Sequence, residues 1–210
     1  ADPSTNDREV QYRWLYYDAA EGQWNEISGW GSPTSITWEA PKEGYFWLYI
    51  EGRLHDGTTQ SYTIGHTAQA YPVELASLVL LANNYSSSTP YLILVDRDAN
   101  KVGILQGWQG VWNPIAYWDC SVGKPSTPTV SGEFEVGSRG GSFDSFGVRC
   151  YWWTQFYGDY LFHSVPHYPG GGVQDGRLGI PLSHGCVRLD IDNAKWIYDN
   201  IPSGTTVVVY

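Results

Sequence analysis

Aromatic and polar residues alternate along the first third of the chain with a period of two, which is typical of β-strands. The segment from Gln11 to Tyr17 begins in this way, and the segment from Tyr45 to Glu51 is the clearest strand of the region. Asp56-Gly57 is a turn sequence of the kind that joins the strands of a hairpin. Several short strands at this spacing predict an aromatic-rich β-sandwich over residues 10–67, after a flexible N-terminus over residues 1–9.

The rest of the chain combines helical spacing with a second set of strands. Apolar residues recur at helical spacing between Val73 and Asn84, which predicts a helical linker over residues 68–87. A second short helix is predicted over residues 192–200. Strands are predicted in four further segments, 91–96, 102–106, 131–136 and 205–209. We therefore predict a β-rich domain over residues 88–210.

The composition supports a folded, mostly β protein and excludes several classes of function. Hydrophobic residues make up 42% of the 210 residues and charged residues 16%, so extensive disorder is excluded. The net charge of −10 would repel nucleic acid, and no cluster of Lys and Arg offsets it. No apolar run approaches the roughly 18–20 residues of a membrane span. Because the chain begins with Ala1 and contains no Met, we expect a processed or truncated product: either the chain is fully secreted, or an N-terminal signal or anchor has been removed. The expected location is extracytoplasmic, secreted or associated with the cell wall.

Three cysteines allow three pairings, each of which leaves one thiol free. Cys120 and Cys150 lie in aromatic, strand-like surroundings, whereas Cys186 lies beside His184 and Gly185. We predict a disulfide between Cys120 and Cys150, with two free buried thiols as the alternative. Such a disulfide would require an oxidising compartment and would leave Cys186 as the free thiol.

The sequence Ser183-His184-Gly185-Cys186 contains groups that acyl transfer by a thiol requires. This chemistry needs an ionisable sulfur, a base within hydrogen-bonding reach and donors for the oxyanion. Cys186 supplies the sulfur, and the backbone amides of Gly185 and Cys186 are candidate oxyanion donors, because glycine lets a substrate approach the backbone closely. His163 and His167 lie upstream, and His163, at the end of a predicted strand, suits a general base.

Two other interpretations of these residues remain open at this point. Zinc binding is one, because the set contains only residue types that bind zinc, although Pro166 and the glycines that follow it break the helical spacing of a His-x-x-x-His motif. The zinc ligands would be His163, His167, His184 and Cys186. The other interpretation is that all of them are structural residues of a hydrophobic core.

The motif and its neighbours are similar to a known family. The run Ser183-His184-Gly185-Cys186-Val187-Arg188-Leu189, preceded by His163-Ser164 and followed by Asp192-Asn193-Ala194, resembles the L,D-transpeptidase (YkuD-type) catalytic domain. The segment from Val122 to Phe134, with its Gly-Lys, Thr-Pro and Gly-x-Phe elements, and the stretch Leu178-Gly179-Ile180-Pro181 resemble the same family. The resemblance covers residues 88–210 and implies a β-rich catalytic domain with one or two short helices.

The resemblance implies a catalytic role for four matching residues. Cys186 matches the nucleophile that becomes acylated, and His163 matches its base. Ser164 matches the position whose backbone carbonyl orients that base. His184 matches a residue that lines the site and helps to build the oxyanion hole.

Four further residues are expected to bind the substrate or the oxyanion. Gly185 matches a member of the oxyanion hole. Arg188 matches the position that steadies the signature loop, which is the run from Ser183 to Arg188, and that meets a substrate carboxylate. Ser183 and His167 complete this set. His167 also remains a second candidate for the base.

The reaction is implied by the resemblance as well. Cys186 would attack the carbonyl of the third residue of a peptidoglycan tetrapeptide stem and release the terminal D-Ala. A side-chain amine of a second stem would then take the acyl group and form a 3→3 cross-link. Water as the acceptor would give L,D-carboxypeptidase activity, and carbapenems would acylate the same thiol. The alternative from another class is a non-catalytic wall-binding protein; no cofactor is expected.

Residues 10–67 resemble, in composition, small immunoglobulin-like modules attached to wall enzymes, and a sandwich of that kind is expected to precede the catalytic domain. A glycan is a candidate partner of this module, because aromatic side chains on a β surface can stack on sugars. The alternative is that its tryptophans fill a core or an interface between domains. These tryptophans are Trp14, Trp24, Trp30, Trp38 and Trp47. We expect a monomer whose main partners are peptidoglycan stem peptides.

Overall fold

The computed structural model of the protein describes residues 10–31, 35–54, 64–70 and 73–210. The predicted flexible segment 1–9 and the predicted Asp56-Gly57 turn lie outside the described residues. Strands predominate over helices, which confirms the mainly β fold class. The chain divides into two compact units, residues 1–76 and 77–210.

The N-terminal unit contains one antiparallel sheet. Its strands are β1 (Val10–Asp18), β2 (Gln23–Gly31), β3 (Gly44–Leu54) and β4 (Ile64–Ala70), in the order β2-β1-β3-β4. One face of this sheet packs around Phe46, whose side chain is buried against the rings of Tyr16 and Trp38. This single sheet is what the described residues form, so the immunoglobulin-like sandwich stays a prediction.

Helix α1 (Val73–Ala82) forms where helical spacing predicts it. Leu78 and Ala82 are buried, and the Leu78 side chain fills the space above Gly103 so closely that a Cβ on that glycine would lie 2.6 Å from it. The indole N–H of Trp112 donates to the carbonyl of Tyr85, 3.2 Å away. The second half of α1 and the turn after it are therefore packed parts of the second unit.

Two sheets and a helix build the second unit. The five-stranded sheet consists of β5 (Tyr91–Asp96), β6 (Lys101–Gln106), β7 (Asn113–Asp119), β8 (Gly132–Glu135) and β13 (Thr206–Val209), in the order β7-β6-β5-β13-β8. The four-stranded sheet consists of β9 (Arg139–Ser145), β10 (Val148–Tyr157), β11 (Tyr160–Ser164) and β12 (Val187–Leu189), in the order β12-β11-β10-β9. Helix α2 (Ile191–Asn200) packs against β10 and β11, and the Asp190 carboxylate caps its start by accepting the Asp192 N–H.

The core of this unit draws apolar residues from both sheets and from α2, including Ile93, Phe162, Val187 and Ile197, which are fully buried. Strands β11 and β12 are parallel neighbours, so Phe162 pairs with Val187 and His163 pairs with Arg188. Because side chains alternate along a strand, the residues next to these core positions point away from the core. This register brings the upstream histidine to the loop that carries Cys186.

Candidate active site

A cavity of about 330 Å³ opens where β11 and β12 meet. It is lined by residues from the β9–β10 hairpin, from the end of β11 and from the loop before β12. Those that matter for the chemistry are Phe146, Cys150, His163, Asp175, Arg177, Ser183, His184, Cys186 and Arg188. The structure therefore brings most of the sequence-predicted site residues to one cavity.

Cys186 lies directly before β12, and its thiol donates to the carbonyl of Asp159 at 3.5 Å. Burial raises the pKa of this thiol. The backbone N–H of Leu161 and the positive charge of Arg188 act in the opposite direction without reversing that shift. The thiol is therefore protonated before a base acts on it.

His163 lies at the end of β11 and is almost completely buried. Its Nδ1 lies 2.7 Å from the carbonyl oxygen of Ser164, which can only accept, so Nδ1 carries the proton. Burial lowers the pKa of the imidazole to about 4, and the charge of Arg188 adds to this effect. The ring is thus neutral, with Nε2 free to accept a proton, and the edge-to-face contact with Phe143 holds its orientation.

His167 occupies a different place. Its backbone exchanges two hydrogen bonds with Arg149, its Nδ1–H donates to the carbonyl of Val165 at 2.8 Å, and its ring packs edge-to-face on Tyr151. It does not line the cavity. Of the two candidate bases, the structure brings His163 to the thiol's cavity.

The hydroxyls of one serine and one threonine hold the signature loop through hydrogen bonds. The Ser183 hydroxyl donates to the carbonyl of Cys186 at 2.5 Å and accepts the N–H of Gly185 at 3.0 Å. The Thr129 hydroxyl donates to the carbonyl of Gly185 at 2.7 Å and accepts the N–H of Gly123 at 2.8 Å. Gly185 has a φ of +129°, a backbone conformation that favours glycine. Ser183 and Thr129 therefore shape the loop, and Ser183 also lines the cavity.

This network changes the expected oxyanion hole. The Gly185 N–H is already bonded to the Ser183 hydroxyl, so it does not point freely into the cavity. The Cys186 N–H has no hydrogen-bond acceptor within the described part of the chain. The amide of Cys186, the candidate nucleophile, is therefore the better candidate for an oxyanion donor.

His184 and Arg188 line the cavity in different ways. The exposed ring of His184 stacks on Phe146, and its Nε2 accepts a hydrogen bond from the Lys124 ammonium at 3.3 Å. Arg188 is fixed through its backbone, which exchanges two hydrogen bonds with Ser121. Within the described residues, 10–31, 35–54, 64–70 and 73–210, no carboxylate forms an ion pair with the guanidinium of Arg188.

The predicted disulfide is wrong in this structure, because Cys120, Cys150 and Cys186 are all free thiols. Cys120 lies beyond β7 inside the main core, whereas Cys150 lies on β10 and faces the cavity. The two strand-like surroundings belong to different sheets, which the local sequence does not reveal. Burial raises the pKa of Cys150 to about 11, so this thiol is a poor nucleophile.

Sequence reasoning missed several residues of the site. Phe146, at the tip of the β9–β10 hairpin, has a positive φ of 49° and an exposed ring beside His184. Arg177 holds Asp175 through two hydrogen bonds of 2.8 Å at the cavity wall. Nothing local in the sequence marks these residues. Thr129 lies in the segment between Val122 and Phe134 that resembles the family, and that signal could have identified it.

Among the residues that the structure describes, no three His, Cys, Asp or Glu side chains come together in a way that could hold a metal ion. The cavity contains a neutral imidazole, that of His163, and a protonated thiol, that of Cys186. Within the same residues, no helix is long and apolar enough to cross a membrane.

Comparison with known proteins adds a family match. The family model of the L,D-transpeptidase catalytic domain, YkuD, matches residues 90–209, which is more than half of the chain. These residues include the whole cavity described above.

Two sequence relatives carry the same family name. YciB of Bacillus subtilis (strain 168), an L,D-transpeptidase by name, is 42% identical over an alignment of 89 residues, and the match covers 39% of this chain and 46% of that protein. L,D-transpeptidase 2 of Mycobacterium tuberculosis (strain CDC 1551 / Oshkosh) is 33% identical over an alignment of 104 residues, and the match covers 42% of this chain and 24% of that protein. The chain therefore spans less than half the length of these relatives.

A solved structure is similar as well. The crystal structure of a protein of Clostridium acetobutylicum ATCC 824, described as a fused Zn-dependent amidase/peptidase/peptidoglycan-binding domain-containing protein, has a TM-score of 0.56 and 37% sequence identity. The match covers 68% of this chain and 65% of that one.

Proposed function

Because this chain belongs to the L,D-transpeptidase (YkuD) catalytic-domain family, we propose that it is a cysteine acyltransferase of peptidoglycan. Its donor is a tetrapeptide stem, from which it releases the terminal D-Ala. Its acceptor is a side-chain amine of a second stem, and the product is a 3→3 cross-link. Such a substrate lies outside the cytoplasm, and we propose the same location for the protein.

One observation carries this proposal. Cys186 and His163 line the same cavity, and the carbonyl of Ser164 fixes the proton of His163 on Nδ1. The Nε2 atom is left with a lone pair in a site where burial disfavours charge on both partners. A base held in one tautomer in the same cavity as a thiol can serve the activation of a sulfur nucleophile.

The proposed acylation step moves one proton. As Sγ of Cys186 attacks the carbonyl carbon of the third stem residue, the thiol proton passes to Nε2 of His163. The oxyanion accepts the Cys186 N–H. The intermediate collapses to a thioester, the bond to D-Ala breaks, and the imidazolium returns its proton to the leaving amine.

The second step reverses these roles. Neutral His163 takes a proton from the attacking amine of the second stem, the amine forms an amide at the thioester carbon, and the proton returns to the sulfur. If water takes the place of the amine, the product is a tripeptide stem, so L,D-carboxypeptidase activity is the second candidate of the same site.

Arg188 supports a role in binding the substrate. Its guanidinium lines the cavity without a carboxylate partner among the described residues, while nearby Arg177 is paired with Asp175. A stem peptide ends in a carboxylate, and a guanidinium binds carboxylates in a planar, bidentate geometry. We propose that Arg188 meets this group.

Incubation of the chain with a disaccharide tetrapeptide, followed by mass spectrometry, tests the proposal. We expect an acyl-enzyme on Cys186 that has lost D-Ala, and then a dimer or a tripeptide product. His163→Ala should slow acylation by at least about 100-fold, because general base catalysis contributes on that order. The matched control His167→Asn should still be acylated at a rate close to that of the wild type.

Three outcomes contradict the proposal. One is the absence of an acyl-enzyme on the wild-type chain with both the muropeptide and meropenem. Another is an equal adduct on Cys186→Ala. The third is that His167→Asn loses acylation while His163→Ala keeps it, which would identify His167 and not His163 as the general base. A chain that binds muropeptides without any adduct would be the non-catalytic wall-binding protein.

A further inference from the structure

One face of the N-terminal sheet carries large exposed aromatic side chains. Trp24 on β2 is 48% exposed, and Trp47 and Tyr45 on β3 are 46% and 64% exposed. The opposite face holds the packed residue Phe46, which is only 1% exposed. The sheet therefore has its core on one side and half-exposed rings on the other, which is uncommon for a surface without a ligand.

These rings form one continuous surface. Tyr17 on β1 lies between its neighbours, with ring centroids 5.1 Å from Trp24 and 5.7 Å from Trp47. Trp24 also contacts Tyr49 at 4.4 Å. We call this surface the aromatic face, formed by Tyr17, Trp24, Tyr45, Trp47 and Tyr49. It crosses three adjacent strands.

Polar side chains continue the same side of the sheet. Gln11 pairs with Arg53 and Arg13 with Glu51 across β1 and β3. Arg13 donates to Glu51 at 2.9 Å, and Arg53 donates to Gln11 at 3.0 Å. Both guanidinium groups also lie over the ring of Trp30, at 5.2 and 4.3 Å. Hydrogen-bonding groups therefore border the aromatic face.

The charges on this side of the sheet cancel. Arg13 and Arg53 are balanced by Glu51 and by Glu26, whose carboxylate lies 3.7 Å from Arg13. The whole chain, in contrast, has a net charge of −10. A balanced surface on an acidic protein suits a neutral ligand, because an anionic polymer gains no attraction there and is repelled by the rest of the chain.

We propose that the aromatic face binds a linear, neutral glycan, namely the N-acetylhexosamine strand of peptidoglycan. A pyranose ring offers a flat C–H face that packs on an aromatic ring, and its hydroxyl and amide groups need the polar border beside it. In intact peptidoglycan the stem is joined to the sugar through an amide, so the strand carries no carboxylate at that position. The choice of peptidoglycan among glycans rests on the proposed function of the catalytic unit, whereas the glycan site itself does not.

A protein partner fits this surface less well. The centre of a protein interface is depleted of charged residues, and here ion pairs run directly beside the rings. Leu15 is the single aliphatic residue between the aromatic and polar parts of this side on β1. Self-association through the same rings is nevertheless an outcome that the test can reveal.

The test uses the full chain with Cys186→Ala, so that binding is measured without turnover. Chitohexaose, a neutral β-1,4-linked N-acetylglucosamine hexamer, is titrated while the indole N–H signals are followed by NMR. We expect the signals of Trp24 and Trp47 to shift together and that of Trp108 to stay. Trp108 is the internal control, because it is 58% exposed but lies in the second unit, away from the N-terminal sheet in sequence.

Variants then check the assignment. Trp24→Ala combined with Trp47→Ala should weaken binding of chitohexaose roughly tenfold or more, because a few aromatic anchors carry most of the energy at such surfaces. Trp108→Ala should bind as the parent does. If the double variant fails to fold, the chitohexaose affinity of Trp24→Tyr and the indole shifts of the parent chain test the site in its place. Purified sacculi should retain the parent chain more strongly than cellulose does.

Several results would overturn the glycan site. These are no indole shift at Trp24 and Trp47, an unchanged affinity in a folded double variant, or a concentration-dependent dimer that needs these two tryptophans. Stronger retention on cellulose than on sacculi would overturn the choice of peptidoglycan as the glycan. Failure of the proposed function is separate: it would appear as the absence of acylation by meropenem in the chain with Cys186 intact. The double tryptophan variant should still be acylated.

Discussion

The two central residues of the site are both kept neutral by burial. A thiolate and an imidazolium each lose hydration in a low-dielectric cavity, so burial raises the pKa of Cys186 and lowers that of His163. Arg188 affects the two differently, because its positive charge favours a thiolate and disfavours an imidazolium. In the proposed mechanism, the pair therefore separates charge during the reaction and not before it.

The buried imidazole also predicts how stability depends on pH. The pKa of His163 falls from 6.5 to about 4 in the folded chain, so between these values the unfolded chain binds a proton that the folded chain does not. Stability is fully present above pH 6.5 and is lost as the pH falls towards 4. We expect a loss of about 3 kcal/mol in the free energy of unfolding across this window.

Urea unfolding of the wild type and of His163→Asn at several pH values measures this effect. The amide of asparagine can still donate to the Ser164 carbonyl, but it does not titrate, so the variant should lose this part of the pH slope. His184→Gln, which removes an exposed imidazole from the same cavity, should keep it. The carboxyl of Asp175, whose pKa lies at about 2 beside Arg177, titrates below the window. Equal slopes in wild type and His163→Asn would contradict the account.

At the scale of elements, the candidate active site depends on the short loop that precedes β12. The loop before β12 has few backbone hydrogen bonds of its own around Gly185 and Cys186, and side-chain hydroxyls replace them. Thr129 connects this loop to the segment between β7 and β8, because it bonds both Gly185 and Gly123. A Cβ on Gly123 would lie 2.2 Å from the carbonyl of Thr127, so the connection needs glycine there.

Loss of the Thr129 hydroxyl should therefore loosen the loop. Thr129→Val keeps the shape of the side chain but leaves a carbonyl and an N–H without their partner in the interior. We expect a loss of roughly 1–3 kcal/mol in stability, because that is the cost of an unsatisfied buried polar group. Acylation of Cys186 by meropenem should slow as well. Thr129→Ser, which keeps the hydroxyl, is the matched control and should be closer to wild type in both measurements; identical behaviour of the two variants would argue against this role.

At the scale of the molecule, the chain consists of two units whose boundary falls within α1. Leu78, in the second half of this helix, is 3% exposed and packs on Gly103 of β6. Leu80, two residues further along, is 71% exposed. The helix therefore contributes one face to the core of the second unit and leaves the other open.

This asymmetry predicts different effects for two otherwise equal substitutions. Leu78→Ala should destabilise the second unit by about 2–5 kcal/mol, because it removes a buried side chain and leaves a cavity. Leu80→Ala should change stability by less than about 0.5 kcal/mol, because exposed positions rarely matter more. Thermal unfolding of both variants of the full chain measures the difference, and equal shifts of the transition would show that α1 does not belong to this unit.

The sequence by itself determined the features that depend on local pattern. The period of two in the strands predicts the mainly β fold class, and helical spacing identifies α1 and α2. The run Ser183-His184-Gly185-Cys186 identifies the family without any contact information, because its residue types and spacing are specific. The assignment of Cys186 as nucleophile remains a prediction that acylation tests.

Only the tertiary structure decided which distant residues meet. His163 and His167 differ little in sequence, but the parallel register of β11 and β12 brings the first beside the signature loop, while the second pairs with Arg149. The Ser183 hydroxyl accepts the Gly185 amide, whereas the Cys186 amide has no acceptor among the residues that the structure describes. Similar aromatic surroundings suggested that Cys120 and Cys150 pair, but Cys120 follows β7 of the five-stranded sheet and Cys150 lies on β10 of the four-stranded sheet. In each case the physical reason is the same. Local periodicity encodes which face of an element is apolar, whereas strand pairing and packing determine which distant residues come to lie next to that element.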